Sequence, residues 1–305
     1  MNRLDLRIKN LRFKNPVLPA SGTFGFGREY AQFFDLNILG GIVTKSITLK
    51  QRTGNPQQRI YETYGGVLNS IGLENPGISK FLNEELPFIL NIDTVKVVSI
   101  AGFRIEDYVE LASILDAKDI DAVELNVSCP NVENDSVYFS EDLEGISKII
   151  REVRSETCKF LIVKFSSESN NIVSLSRVAQ DFGADAICIG NTLRGIAIDL
   201  NKKAPVFKNV VAGLSGPAIK PVALRAVWEA YETVNIPIIG CGGVMDFKDV
   251  LEFIFAGASV VQVGTANFHN PLVIPDIISD LTDYCKEGDY YIQDLIGVAH
   301  KRKRN

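Results

Sequence analysis

The residues best suited to chemistry in this sequence lie in one run, residues 123–131. Polar groups follow one another there: Asn126, Ser128, Cys129 and Asn131. The mainly apolar run at residues 120–125, with β-branched Ile120 and Val123, predicts a buried parallel strand, which Pro130 ends. A thiol at the C-terminal end of such a strand lies where α/β enzymes carry reactive groups. A free cysteine is also often a small buried apolar side chain, so a role for Cys129 depends on its neighbours.

Composition limits the classes of protein that the chain can be. Its 305 residues, 46% of them hydrophobic, can bury one large core, so we predict a single domain spanning 1–305. The net charge of −5 predicts no nucleic-acid surface, and the basic residues 300–304 are interpreted as a solvated tail.

The cysteines and the N-terminal segment indicate a cytoplasmic protein. Five cysteines without C-x-x-C spacing favour free thiols in a reducing compartment, with neither a zinc nor an iron–sulfur site in this chain. Residues 1–14 contain no long apolar run, so we expect neither a signal peptide nor a membrane span.

Alternating strand and helix patterns run along the whole chain. Eight apolar runs predict strands at residues 16–20, 41–45, 95–100, 122–127, 160–165, 186–189, 236–240 and 260–263. Helical spacing occurs between them at residues 105–115, 143–153, 172–182, 221–231 and 247–255. Eight such units favour a single (β/α)8 TIM barrel in the α/β class. An open doubly wound sheet is the alternative, but no strand is followed by G-x-G-x-x-G.

Two long connections interrupt the alternation, residues 50–77 after the second strand and residues 193–216 after the sixth. Both are rich in turn residues, yet they contain apolar residues such as Ile196 and Val206. Long connections inside a compact domain are usually functional or disordered. We therefore predict two ordered insertions that cover an active site.

Polar residues gather at the predicted C-terminal ends of the strands, which a barrel brings to one mouth. They include Ser21, Lys45, Ser46, Ser99, Asn126, Cys129, Lys164, Asn191, Thr192, Gly242, Gly243, Gly264 and Thr265. Glycine-rich turns after strands seven and eight match the usual phosphate site of barrels and imply a phosphorylated cofactor. Two lysines would stabilise a group that becomes anionic, as a reduced flavin does. Neither histidine lies among these residues at the barrel mouth, so Cys129 is the candidate base.

Seven motifs resemble class 1 dihydroorotate dehydrogenase over nearly the whole chain. They are Ala20-Ser-Gly-Thr-Phe-Gly-Phe-Gly, Asn69-Ser-Ile-Gly-Leu-Glu-Asn-Pro-Gly, Asn126-Val-Ser-Cys-Pro-Asn, Asn191-Thr-Leu-Arg-Gly, Gly213-Leu-Ser-Gly-Pro-Ala-Ile-Lys-Pro, Ile238-Ile-Gly-Cys-Gly-Gly-Val and Val263-Gly-Thr-Ala-Asn-Phe. The chain is most similar to the class 1B catalytic subunit, whereas class 2 enzymes have a serine at the Cys129 position and an N-terminal membrane segment.

The resemblance implies a (β/α)8 barrel that binds FMN and oxidises (S)-dihydroorotate to orotate in pyrimidine (UMP) biosynthesis. Class 1B enzymes pass their electrons to NAD+ through a partner subunit that carries FAD and a 2Fe–2S cluster. The missing cluster cysteines and dinucleotide fingerprint agree with that division of labour. A heterotetramer built on a homodimer of this chain is therefore expected.

The resemblance also implies roles for individual residues. Cys129 would take the proton from C5 of the substrate while a hydride leaves C6. Substrate would contact Lys45, Asn69, Ser70, Ile71, Gly72, Leu73, Asn126, Asn191 and Thr192. FMN would contact Ser21, Lys45, Ser46, Ser99, Asn126, Lys164, Gly190, Gly216, Gly242, Gly243, Gly264 and Thr265, with its phosphate on the last two pairs.

Several positions depart from the family pattern and leave alternatives open. Ser99 replaces an asparagine, Gly190 an aliphatic residue and Ser167 a proline, while residues 132–140 replace a glycine-rich loop with an acidic one. The acidic loop would raise the pKa of Cys129 by like-charge repulsion. The alternatives are a divergent FMN oxidoreductase for another cyclic amide or pyrimidine, a class 1A enzyme that uses fumarate, and a flavin-binding homologue without catalysis.

Overall fold

The computed structural model describes residues 2–127 and 142–302. Within these two ranges, no helix is long and apolar enough to cross a membrane. Cys129 and the acidic loop at residues 132–140 lie outside the described residues.

Eight parallel strands form the central sheet, and their order follows the chain. In that order they are Val17–Pro19, Gly41–Val43, Val95–Ile100, Ala122–Asn126, Phe160–Phe165, Ala186–Ile189, Ile238–Cys241 and Val260–Val263. The eighth strand pairs with the first, with Val261 opposite Val17. The backbone N–H of Gly40 donates to Val17 O at 3.1 Å and links the first and second strands. The sheet is thus nearly closed, and the predicted (β/α)8 barrel is confirmed.

Helices connect and flank the barrel strands. They are Ile78–Lys80, Leu86–Leu90, Ile105–Asp116, Leu143–Glu156, Ile172–Asp181, Lys220–Tyr231, Phe247–Phe255, Ala266–His269, Val273–Glu287 and Val298–Arg302, with a π-helical turn at Phe81–Glu85 and short 3₁₀ turns at Tyr30–Gln32, Leu36–Ile38, Pro217–Ile219 and Ile292–Leu295.

The helix Leu143–Glu156 shows why these segments are helical. Asp142 precedes it, and its carboxylate accepts a hydrogen bond from the backbone N–H of Gly145, so the first turn is capped. Residues three or four apart are apolar and fully buried, as at Ile146, Ile149 and Val153. This spacing places one apolar stripe against the barrel and leaves the opposite face to solvent.

The two long connections meet in one antiparallel sheet, which we call the cap sheet. Its strands, in spatial order, are Leu193–Gly195, Ala212–Ser215, Gly66–Asn69 and Ile60–Thr63. The pairing of Gly213 with Asn69 joins segments that are 144 residues apart in sequence. Smaller two-stranded sheets pair Leu6–Ile8 with Leu11–Phe13 and Ile198–Asp199 with Ala204–Pro205.

Candidate active site

A cavity of about 260 Å³ opens between the C-terminal mouth of the barrel and the cap sheet. Most of the predicted site residues line it: Ser21, Lys45, Ser46, Asn69, Ile71, Gly72, Leu73, Asn126, Lys164, Gly190, Asn191, Thr192, Gly216, Gly242, Gly243, Gly264 and Thr265. The cap sheet contributes Ile60, Val67 and Ser215. Residues predicted from seven strand ends and two distant connections are therefore brought together around one space.

Two predicted site residues lie behind the wall of this cavity. Ser99 is fully buried, and its hydroxyl is 2.9 Å from that of Ser46, which also accepts a hydrogen bond from the Asn126 amide at 3.1 Å. Ser70 is buried as well and accepts a hydrogen bond from Asn55 at 3.0 Å. Ser99 thus supports Ser46, a residue of the wall, whereas Ser70 contacts Asn55, which does not line the cavity.

Lys164 is the charged group most deeply embedded in the barrel side of the cavity. Its ammonium donates to Ser21 Oγ at 3.1 Å and to Gln262 Oε1 at 3.0 Å, and only 4% of its side chain is exposed. Glu124 Oε1 lies 3.8 Å from the same nitrogen. Burial by itself opposes the charged form, but the Glu124 carboxylate and other neighbours outweigh burial and raise the pKa of Lys164 above its ordinary value. Lys164 is therefore a fixed positive charge at the cavity.

Lys45 carries the second positive charge of the cavity, and its surroundings differ. Burial lowers the pKa of Lys45, and the nearby Glu74 carboxylate partly opposes that effect while Arg59 adds to it. Glu74 itself lines the cavity and pairs with Arg59. The sequence analysis did not identify this acidic residue as part of the site.

Two glycines of the wall are required by their surroundings. Gly190 has φ of +138°, and a Cβ there would lie 1.7 Å from the carbonyl oxygen of Cys241. The aliphatic residue that the resemblance implies at this position therefore does not fit this backbone. Gly243 has φ of +78°, and its Cβ would lie 2.6 Å from the side chain of Lys220.

The turns after the seventh and eighth strands present backbone donors to the cavity. Among the described residues, none accepts a hydrogen bond from the backbone N–H of Gly243, Gly264 or Thr265. All three residues line the cavity, and a Cβ on Gly264 would meet nothing closer than 3.6 Å. Bare N–H groups beside open space form a suitable cradle for an anion such as a phosphate.

Three amide side chains also line the cavity. Asn69 belongs to the cap sheet and donates to Gly213 O at 3.2 Å, while Asn126 ends the fourth barrel strand. The Asn191 side chain accepts a hydrogen bond from the backbone N–H of Thr192 at 2.8 Å. Amides offer both donors and acceptors, so these side chains can bind a small ring that carries amide and carboxylate groups.

Glu124 and Gln262 were also missed by the sequence analysis. Each is a polar residue within an otherwise apolar barrel strand, and each is fully buried. Buried polar groups need partners, so their positions in the strands were the signal that could have placed them inside the barrel.

Within the described ranges, no group of three or more metal-binding side chains comes together.

Comparison with known proteins decides the family. The dihydroorotate dehydrogenase family model matches residues 3–284 of the chain. The chain belongs to this family. The resemblance inferred from the motifs is thereby confirmed.

Curated members of the dihydroorotate dehydrogenase family match over almost their full lengths. The "Dihydroorotate dehydrogenase B (NAD(+)), catalytic subunit" of Petrotoga mobilis is 48% identical over 294 residues, covering 96% of this chain and 98% of the relative. The protein of the same name from Thermoanaerobacter pseudethanolicus is 49% identical over 281 residues, covering 92% and 93%. That of Bacteroides fragilis is 45% identical over 300 residues, covering 98% and 99%. The similarity is thus to the NAD(+)-linked catalytic subunits.

A solved structure supports the fold of the dihydroorotate dehydrogenase family for this chain. The DHODH of Eimeria tenella, crystallised in complex with ferulenol, superposes with a TM-score of 0.80 at 23% identity. The match covers 98% of this chain and 89% of the other.

Proposed function

We propose that this chain is an FMN-dependent dihydroorotate dehydrogenase of class 1B, which oxidises (S)-dihydroorotate to orotate in pyrimidine biosynthesis. One observation carries the proposal. A single cavity combines bare backbone donors and the buried charge of Lys164 on its barrel side with the amides Asn69 and Asn191 elsewhere on its wall. The 45–49% identity to catalytic subunits of that name supports the assignment.

The donor chemistry of the barrel side fits FMN. We assign the cofactor phosphate to the backbone N–H groups of Gly243, Gly264 and Thr265, which have no acceptor among the described residues. Lys164 would stabilise negative charge on the flavin ring. The remaining predicted contacts are assigned to Ser21, Lys45, Ser46, Asn126, Gly190, Gly216 and Gly242, with Ser99 acting through Ser46.

The amide-lined part of the cavity is assigned to the substrate. Lys45 would pair with the substrate carboxylate, while Asn69, Asn126 and Asn191 would bind its ring amides and carbonyls. Further contacts with the substrate are assigned to Ile71, Gly72, Leu73 and Thr192. Ser70, which is buried behind the wall of the cavity, is assigned a supporting role. A bound FMN supplies the acceptor for the hydride that leaves C6. Cys129, as a thiolate, accepts the C5 proton, and the electrons of that C–H bond form the new C5–C6 double bond.

The partner and the assembly follow from the same proposal. Electrons would continue to NAD+ through a subunit that carries FAD and a 2Fe–2S cluster, in a heterotetramer built on a homodimer of this chain. The catalytic-subunit names of the relatives support the existence of a partner.

The chain is proposed to form one cytoplasmic domain spanning 1–305. One continuous apolar cluster extends from Leu4 to Leu295, which supports a single domain. The described cysteines Cys158, Cys188, Cys241 and Cys285 are free thiols, as a reducing compartment favours.

Anaerobic mixing of the FMN-loaded protein with L-dihydroorotate tests the proposal. We expect the flavin absorbance band to bleach. Cys129→Ser should bleach far more slowly at neutral pH and recover at higher pH, because a hydroxyl is a weaker acid than a thiol. Cys158→Ser, which changes an exposed thiol, is the matched control and should bleach at the parent rate.

Three results would contradict parts of this proposal. A yellow protein that dihydroorotate does not bleach, but another dihydropyrimidine does, would assign the site to a different cyclic amide. Reoxidation by fumarate, with no NAD+ reduction in the presence of the partner subunit, would indicate class 1A. Full activity of Cys129→Ser with an unshifted pH profile would identify another group as the base.

A further inference from the structure

Three polar side chains from three different strands meet inside the barrel, below the cavity. Glu124 lies on the fourth strand, Lys164 on the fifth and Gln262 on the eighth. Glu124 and Gln262 are fully buried, and Lys164 is 3% exposed. Strand eight is not a neighbour of strands four and five in the sheet. The three side chains can therefore meet only by pointing into the interior of the barrel.

Hydrogen bonds connect the three side chains in a fixed order. Lys164 Nζ donates to Gln262 Oε1 at 3.0 Å, and Gln262 Nε2 donates to Glu124 Oε2 at 2.9 Å. The amide of Gln262 thus uses its acceptor toward the cation and its donor toward the anion. This arrangement orients the amide uniquely and fixes the Lys164 ammonium relative to the barrel axis.

The second carboxylate oxygen of Glu124 is buried, and no donor among the described residues forms a hydrogen bond with it. This oxygen, Oε1, lies 3.8 Å from Lys164 Nζ. Leaving a buried polar atom without a hydrogen bond is costly. Structural stability alone does not explain a carboxylate here, because replacing a buried ion pair with apolar residues is often neutral or stabilising.

Only the cationic end of this chain of contacts reaches the cavity. Lys164 lines it, whereas Glu124 and Gln262 do not. Any group bound on the barrel side of the cavity therefore faces the Lys164 charge with the opposite charge of Glu124 one layer behind it. In a dry interior, electrostatic effects at this distance are much larger than in water.

We propose that Glu124, acting through Gln262, is a positioning residue that holds the Lys164 ammonium in place and offsets part of its charge, thereby setting the reduction potential of the bound flavin. This inference rests on the proposed function only in taking FMN as the occupant of the cavity. Reduction adds negative charge to the flavin, and a net positive charge beside it favours the reduced form. The Glu124 carboxylate therefore keeps the potential lower than Lys164 alone would.

A redox titration of the FMN-loaded chain tests this inference without any substrate. Glu124→Gln preserves the size of the side chain and removes its charge, so the pair changes from neutral to a net charge of +1. Ser21 and Gln262 remain as acceptors for the ammonium. We expect the midpoint potential to shift to a more positive value. Glu110→Gln, an exposed position on the helix Ile105–Asp116, makes the same change in net charge and should leave the potential unchanged.

A second pair of variants covers a failure of Glu124→Gln to fold. Lys164→Met leaves the Glu124 charge alone and should lower the potential, whereas Lys164→Met combined with Glu124→Gln leaves no charge. The double variant should therefore have a higher potential than Lys164→Met. Equal potentials in these two proteins, or an unshifted potential in a folded Glu124→Gln, would overturn the inference.

The failure of this inference differs from a failure of the proposed function. A chain that takes up no FMN would overturn both. A flavoprotein that dihydroorotate does not reduce would overturn the proposed substrate, while the shift in potential would still support the role of Glu124.

Discussion

Two ion pairs, one on each side of the cavity, show how differently the barrel and the cap sheet are built. In the barrel, Lys164 Nζ lies 3.8 Å from Glu124 Oε1, and their side chains are 4% and 0% exposed. Beside the cap sheet, in the connection after the second barrel strand, Arg59 Nη1 lies 2.7 Å from Glu74 Oε2, and their side chains are 23% and 46% exposed. Breaking the shorter contact should cost less, since solvent screens a partly exposed pair and its breakage leaves no buried charge. Burial, and not distance, decides what each pair contributes.

Apolar packing follows the same division. The barrel strands share one continuous core with the helices. The cap sheet packs on a separate small cluster of Leu68, Phe207 and Ala212, which we call the cap core. The strand Ile60–Thr63 is exposed along its whole length. Segments with few buried contacts open locally more easily than a large core does. We therefore expect the cofactor side of the cavity to be rigid and the substrate side to be adjustable.

The largest expected effect comes from removing one charge of the buried pair. Glu124→Gln leaves the Lys164 ammonium buried without its counter-ion, which should lower the free energy of unfolding by about 3–5 kcal/mol. Urea unfolding measures this free energy. FMN must be present at the same excess in every sample, because bound ligand adds to stability. The double variant with Lys164→Met should recover most of the loss. A single variant as stable as the parent would show that the pair carries no buried charge.

Lys164 itself should affect the cofactor. Lys164→Met removes the fixed charge at the cavity, so flavin reduction by dihydroorotate should slow by about 100-fold, as for loss of one preorganised electrostatic group. Stopped-flow absorbance measures the rate, and the FMN content after gel filtration measures retention. Lys148→Met on the exposed face of Leu143–Glu156 is the control. Parent values for both rate and retention would contradict the role assigned to Lys164.

The cap core should respond on its own. Phe207→Leu leaves a small gap beside Leu68 and should cost about 1 kcal/mol. Because this cluster is separate from the barrel core, we expect faster amide hydrogen exchange in Gly66–Asn69 and a higher KM for dihydroorotate, with FMN content unchanged. Loss of FMN together with slower substrate binding would show that cap and barrel form one cooperative unit.

The sequence predicted the barrel well because its strands are buried on both faces. Such strands appear as mainly apolar runs, and four of them, at Val95–Ile100, Phe160–Phe165, Ala186–Ile189 and Val260–Val263, have the predicted bounds. The cap sheet could not be predicted, since the pairing of Gly213 with Asn69 depends on tertiary contact between distant segments. The strand Ile60–Thr63 has no buried face, so its sequence carries no alternating apolar pattern that would predict a strand.

Residues that line the cavity could be predicted where they lie at the end of a strand. Residues that contact them from inside the barrel could not. Lys45, Lys164 and Gly243 were identified from the ends of strands. Glu124 and Gln262 were not, because their positions inside apolar strands indicate burial but do not reveal which partner lies across the barrel. Gly190 was interpreted as a lost side chain, whereas the backbone of Cys241 leaves no room for one.

The smallest expected effect on stability concerns Glu74, whose charge also influences the pKa of Lys45. As a partly exposed pair, Glu74 with Arg59 should contribute at most about 1 kcal/mol to stability. Its charge nevertheless raises the pKa of Lys45, which burial lowers. In the proposed function, Lys45 binds the substrate carboxylate only when protonated, so we expect kcat/KM to fall as pH rises through the pKa of Lys45 in the free enzyme.

Glu74→Gln removes the influence that keeps this pKa up. The alkaline fall in kcat/KM should therefore move to lower pH, whereas Glu62→Gln, on the exposed strand Ile60–Thr63 of the cap sheet, should leave it in place. In Lys45→Arg the fall should disappear, because an arginine does not lose its proton in this range. A fall that stays in place in Glu74→Gln would mean that the cap does not tune the charge of the substrate side, and the contrast between the two pairs would then concern stability alone.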